Sequence, residues 1–259
     1  MLGAALLLAL AAQSSTPPAP DFCTDRPGLA TGTCVMPADV IQLESTLVGL
    51  ATDRTDGVRT RQWTLGASVF RFGLGSASEI QLSWTPWTRV SIRDGGTRES
   101  SSGIGDVRLA YKVMLTGRDA PIAIDLMPVV KLPLAPRPLG NRRVEAGLRA
   151  PIDIALADRW TLTLTPEADW NADGDGSGHH LGLAGAAGLG FAVNERLSTG
   201  LAVWGVRDAD HAGTVHQEVA GATLAWLAGP KLQFDVEADA GIGGAAPDLQ
   251  LIAGLSIRR

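Results

Sequence analysis

From residue 39 onward, apolar and polar side chains alternate with a period of two, in one segment after another. Over residues 107–115, Val107, Leu109, Tyr111, Val113 and Leu115 are apolar, while Arg108 and Lys112 fall between them. Successive side chains of a strand point to opposite faces, so the stretch sorts into one oily and one charged face. A helix would scatter both sets around its circumference. The same sorting sets Ile80, Leu82, Trp84, Val90 and Ile92 against Glu79, Gln81, Ser83 and Arg89, and Ile122, Ile124 and Val130 against Asp125 and Lys131. It recurs with Leu148, Ile152 and Ile154 against Glu145, Arg149 and Asp153, and with Leu162 and Leu164 against Thr163, Glu167 and Asp169. Phe234 and Val236 likewise alternate with Asp235, Glu237 and Asp239. Segments near 39–50, 60–72, 181–193, 197–206 and 214–227 carry the pattern diluted by Ala and Gly, and Leu249, Leu251, Leu255 and Ile257 line the last.

The pattern predicts an all-β chain of about twelve strands, each roughly ten to fourteen residues long. Soluble strands usually run about five or six residues, whereas a tilted strand crossing a bilayer needs about nine to eleven. Length therefore favours an antiparallel transmembrane β-barrel over a soluble sandwich. Polar stretches near 53–59, 94–103, 133–143, 172–179, 207–213 and 243–246 alternate with tight turns near 73–78, 117–120, 157–158, 194–195 and 228–229. Longer outer loops and short periplasmic turns are the asymmetry of outer-membrane barrels, and an even strand count puts both termini in the periplasm. Phe72, Trp160, Phe191 and Trp226 fall at the predicted periplasmic ends, with Trp63 and Trp170 at the outer ends, where interfacial rings belong.

Alternation alone does not say whether the oily face meets lipid or a second sheet. Composition sharpens the choice. No stretch after the first dozen residues holds the ~18 consecutive apolar residues of a spanning helix, although the mean hydropathy is slightly positive. Apolar surface is spread over many short segments. The net charge of −5 argues against a nucleic-acid partner, which needs clustered Lys and Arg. Residues 1–12 are an apolar Leu/Ala run ending in small residues and read as an export signal; residues 13–38 form a periplasmic leader, and residues 39–259 the barrel. Cys23 and Cys34 are the two cysteines. In an oxidising compartment they close one small loop, the alternative being two unrelated buried thiols.

Several short motifs, in this order along the chain, carry a family resemblance: Phe22-Cys23-Thr24-Asp25-Arg26-Pro27 before the first strand, Gly73-Leu74-Gly75 at the first turn, Ser102-Gly103-Ile104-Gly105-Asp106-Val107, and Lys131-Leu132-Pro133. From about residue 22 to the end, the chain resembles the outer-membrane transporter family named after the meta-pathway of phenol degradation. The resemblance implies an exported barrel that passes small, aromatic or apolar, molecules. Barrels of this kind commonly end in an aromatic residue, whereas this chain ends Ile257-Arg258-Arg259.

Candidate chemistry is sparse. Asp169, Asn171, Asp173 and Gly174 fit the first half of a calcium loop, but its twelfth position is His180 rather than a bidentate Glu. His179 and His180 are adjacent and point to opposite faces of a strand, so they do not chelate together. No G-x-S-x-G, phosphate loop or H-E-x-x-H is present, so the expectation is no catalytic, cofactor or metal site and no enzyme. The polar face instead supplies lumen-facing candidates: Glu44, Arg89, Asp106, Arg108, Lys112, Asp125, Lys131, Glu145, Arg149, Asp153, Glu167, Asp169, Asp235, Glu237 and Asp239. Their acidic excess biases a water-filled lumen toward cations. The expected partners are the lipid bilayer of the outer membrane, a small-molecule solute and the outer-membrane assembly machinery. A closed structural or surface-interaction barrel and a secreted soluble β-sandwich that binds ligand are the alternatives.

Overall fold

A computed structural model describes residues 22–117 and 120–259, so the predicted export signal lies outside the described residues. Fifteen strand segments form one antiparallel sheet that closes on itself through the pairing of β1 (Ile41–Thr55) with both β2 (Val58–Gly73) and β15 (Leu249–Arg258). The segments make twelve passes. The third pass is β3 (Ser78–Trp84) plus β4 (Trp87–Asp94), and the fourth is β5 (Thr97–Gly103) plus β6 (Val107–Met114). After β7 (Ile122–Leu132), the sixth pass is β8 (Glu145–Arg149) plus β9 (Ile152–Ala157). Single strands complete the circuit: β10 (Trp160–Ala172), β11 (His179–Ala192), β12 (Leu197–Asp210), β13 (Gly213–Gly229) and β14 (Leu232–Gly244).

Closure removes every sheet edge, which in hydrocarbon is obligatory because no water is there to satisfy a free backbone group. Burial then runs opposite to a soluble protein. Val236, Leu201 and Leu183 are half or more exposed, whereas Glu44, Arg71, Glu79 and Lys112 are almost completely buried. Oily side chains cover the outside, and the polar face turns inward. Rings cluster at both rims: Trp160 packs on Phe191 with centroids 4.5 Å apart, and Trp226 on Phe234 at 6.1 Å, both near the terminal end. Trp170 stacks on His179 at the opposite end.

Two local departures from strict alternation matter. Between β3 and β4 the pass breaks at Thr85-Pro86, where Pro86 has no N–H for the ladder. The break shifts parity, so Trp84 and Trp87 lie on the same face. Arg89 is therefore paired with Trp63 on the outer face, and the period-two reading that placed Arg89 in the lumen is corrected. In addition, the polar stretches 53–59 and 94–103 are strand for most of their length. Asp56-Gly57 and Gly95-Gly96 close two-residue hairpins there, with Gly57 and Gly95 at positive φ. Polar composition marked where the wall leaves the oily layer, not where the strand ends.

A charge on the lipid face tests this arrangement. Val236→Arg should destabilise the refolded barrel in detergent or bilayer by about 2–4 kcal/mol, read from urea titration of its heat-modifiable gel mobility.

Candidate functional site

Residues 22–39 do not hang in the periplasm. They fold into the terminal half of the lumen, cross-linked by the Cys23–Cys34 disulfide with 5.8 Å between Cα atoms. The tip of this loop reaches mid-barrel, where the Thr31 N–H donates to Thr165 Oγ1 at 2.9 Å and Leu29 and Ala30 approach Gly221 and Gly188. Small wall residues make the room. A Cβ at Gly254 would collide with the Arg26 guanidinium, and one at Gly73 with the Pro37 carbonyl.

The wall holds the plug through charge. Arg71, from the middle of Phe70-Arg71-Phe72 on β2, points inward because both flanking rings point outward. Its guanidinium pairs with Glu44 at 2.7 Å and Glu79 at 2.8 Å, approaches Asp25 at 3.5 Å, and donates to the Cys34 carbonyl at 2.7 Å. Lys112 binds Asp25 at 2.9 Å and the same carbonyl at 3.1 Å. Gln81 donates to Asp25 at 2.9 Å, the Met36 N–H donates to Glu79 at 2.6 Å, and the Cys23 carbonyl accepts from Arg258 at 3.3 Å. Further round the ring, Arg26 pairs with Asp235 at 2.8 Å, the Gly28 N–H donates to Glu237 at 3.1 Å, and Asp153 accepts from the Thr33 N–H at 2.7 Å and its hydroxyl at 2.8 Å. Burial opposes ionisation of Asp25, yet Arg71 and Lys112 outweigh it and hold the carboxyl below its ordinary value.

Above the plug the charges pair across the wall. Lys131 binds Glu145 at 2.6 Å and Asp106 at 3.6 Å, and Asp106 in turn accepts from the Ala135 N–H at 2.8 Å, tying down the long 133–144 connection. Arg149 binds Glu167 at 2.7 Å. Arg108 stands opposite Lys131, and Asp169 opposite Gly147, on the same inward face. Asp125 and Asp239 are buried, and each has one carboxylate oxygen without a hydrogen-bond partner.

Residues 24–258 match the family described as "Putative MetA-pathway of phenol degradation". The chain belongs to this family. Its fold is similar to that of an outer membrane channel from Pseudomonas putida F1, at 13% identity over 88% of this chain and 97% of that one, with a TM-score of 0.71. It is also similar to the NanC porin, at 8% identity over 84% of this chain and 98% of that one, with a TM-score of 0.52. No protein of curated function matches. The protein is thus an outer-membrane β-barrel of the phenol-degradation family.

Sequence reasoning had singled out Glu44, Lys112, Asp153, Asp235 and Glu237, and the structure gathers them around the plug. The lumen-facing set did not include Arg71, Glu79, Gln42, Asp25, Arg26 or Arg258, which complete the same network. A lone Arg between two Phe residues was the available signal, since a charge at that position of a membrane strand has only the lumen to face. At the outer rim, Asp173, His180 and Asp210 converge. Both His180 ring nitrogens already face carboxylates, Asp173 at 2.8 Å and Asp208 at 2.6 Å, which is the geometry of a cationic imidazolium held by acids.

Two measurements probe the network. Arg71→Met leaves Glu44 and Glu79 buried without their cation and should cost about 3–5 kcal/mol in denaturant refolding. Because the docked Asp25 carboxyl sits below its ordinary 3.8, its contribution is present above that pH and lost as pH falls through the lowered value. Hydrogen exchange of amides 24–36, corrected for intrinsic rates, should show protection falling as pH drops below about 3.8.

Proposed function

We propose that this barrel is an outer-membrane channel for small molecules of the aromatic or apolar class, with residues 22–36 as a disulfide-closed plug in the periplasmic half of its lumen. The carrying observation is how the inward face uses its charge. Beyond the wall's own pairs, such as Arg71 with Glu44 and Glu79, the inward-facing Arg71, Lys112, Asp153, Asp235 and Glu237 all grip a separate piece of chain. A wall evolved only for stability would need no such insert, because side chains can fill a small barrel. A polar interior behind a lipid-facing exterior is the build of a channel. Kinship with the phenol-degradation family and likeness to the Pseudomonas putida channel support the same reading, and the family description points to aromatic solutes. The remaining acids of the upper lumen bias the path toward neutral and cationic solutes. No enzymatic step is part of this reading.

A closed barrel that works through its outer loops is the second reading, favoured by the number of strands that hydrogen-bond the plug: β1, β2, β3, β6, β9, β10, β14 and β15. Planar-bilayer recording separates them. The channel reading expects small current steps from the intact protein and severalfold larger ones after deletion of residues 22–36. Silence from both proteins, each verified as folded by heat-modifiable mobility, would leave the closed barrel.

A further inference from the structure

The outer ends of β1, β2, β4 and β5 carry an arrangement the lumen does not explain. Arg54 stands directly opposite Arg59, Arg59 opposite Arg93, and Arg93 opposite Arg98, so four arginines form one row across four neighbouring strands. Side chains opposite one another in a sheet have Cβ atoms only about 4.5–5.5 Å apart, and like charges so placed repel. Two residues nearer the membrane on β2, Arg61 stands opposite Ser91; two further on, Trp63 stands opposite Arg89. Trp63 and Leu65 fix the face: both are exposed to the outside of the barrel. Of the acids of the same hairpins, Asp56 sits in the β1–β2 turn, and Asp53, Asp94 and Glu99 occupy the other face, opposite Thr60, Thr97 and Ile92. Among the described residues, none of Arg54, Arg59, Arg61, Arg93 and Arg98 forms an ion pair, and Arg89 reaches only the Ser100 hydroxyl at 3.2 Å. Arg59, Arg61, Ser91, Arg93 and Arg98 border one shallow recess of ≈ 120 Å³. On the same outer face, an apolar groove of ≈ 560 Å³ starts at Trp63 and Leu50, below Arg59 and Arg54, and runs sideways across β15, β14 and β13, bounded also by Val48, Leu224, Val236 and Leu251. At about 3.3 Å per residue, Trp63 is about 13 Å down the strand from Arg59.

A row of unneutralised guanidinium groups, pressed together at the membrane rim above an oily groove, is complementary to one kind of molecule. We propose that it is the headgroup site of a phosphorylated glycolipid of the outer leaflet. The phosphates lie between Arg59, Arg93 and Arg98, and an acyl chain runs down past Trp63 into the groove. Each guanidinium fork donates two N–H bonds to a phosphate's oxygens, which turns the mutual repulsion of the row into binding. Trp63 sits where an interfacial ring marks the boundary between headgroup and chain.

The probe is lipid A carrying two phosphates, titrated into the purified full barrel in neutral detergent and followed by native mass spectrometry. The intact protein should retain it and should bind enzymatically dephosphorylated lipid A far more weakly. Each arginine near an anionic lipid is worth about 1 kcal/mol, so the triple variant R59S/R93S/R98S should bind on the order of a hundredfold more weakly. Arg196→Ser, in the connection at the other rim, should bind as the intact protein does. Should the triple variant not fold by heat-modifiable mobility, the exposed edge variant R98S carries the test, with an expected loss of about fivefold. Equal binding of the phosphorylated and dephosphorylated lipids, or unchanged binding by the arginine variants, would overturn the site. Inorganic pyrophosphate or phosphatidylglycerol binding as tightly as lipid A would overturn the glycolipid as its occupant.

Discussion

The guanidinium of Arg71 is the constraint around which the lower lumen is organised. Side chain and charge are wholly removed from bulk water, and a buried cation is tolerable only if acids and acceptors surround it. The wall provides Glu44 and Glu79. The plug provides Asp25 and the Cys34 carbonyl, and Lys112 then balances the added acid from the opposite side. Neither wall nor plug is electrostatically complete alone. This mutual need explains how the loop stays docked: Phe22, Val35 and Met36 are its main buried apolar side chains, and polar bonds fix the remainder.

The two ends of the barrel answer different demands. At the terminal end the inward charges are committed to the plug, and the Asp39 N–H donates to the Gly73 carbonyl at the first turn. At the outer end the strands extend beyond the oily layer as polar hairpins, and the 133–144 connection is held down by Asp106 and by Lys131 through Asn141. Arg143 of that connection also donates to the Gly176 carbonyl in the next outer loop, so the two long connections support each other. Charge thus sorts by height along the barrel and by face.

Much of this was legible in the residues. Alternation such as Phe234-Asp235-Val236-Glu237 names both the strand and its faces, because in a barrel of one layer inward side chains are mostly polar and outward ones mostly oily. Where a backbone break intervened, the reading slipped. Pro86 shifts the parity of the third pass, and Arg89, polar by nature, stands beside Trp63 on the outside. The plug was invisible to periodicity for a different reason. Residues 22–39 have no regular secondary structure, so nothing in their spacing tells Asp25 to meet Lys112 across 87 positions of sequence. Arg71 sat in plain view between Phe70 and Phe72, but its importance depends on partners from three other segments, β1, β3 and the plug. The outer arginine row likewise exists only once register is known.

The pairing of β1 with β15 is where the cylinder is sewn shut, and the plug holds both lips. Gln42 on one lip donates to the Cys23 carbonyl, and Arg258 on the other donates to the same oxygen. Thr24 meets Ser256 on the second lip at 3.1 Å. The plug is therefore a clasp over the joint between the first and the last strand of the barrel. An unfinished cylinder lacks half of the clasp's footing, so sealing the wall and seating the insert become a single cooperative event.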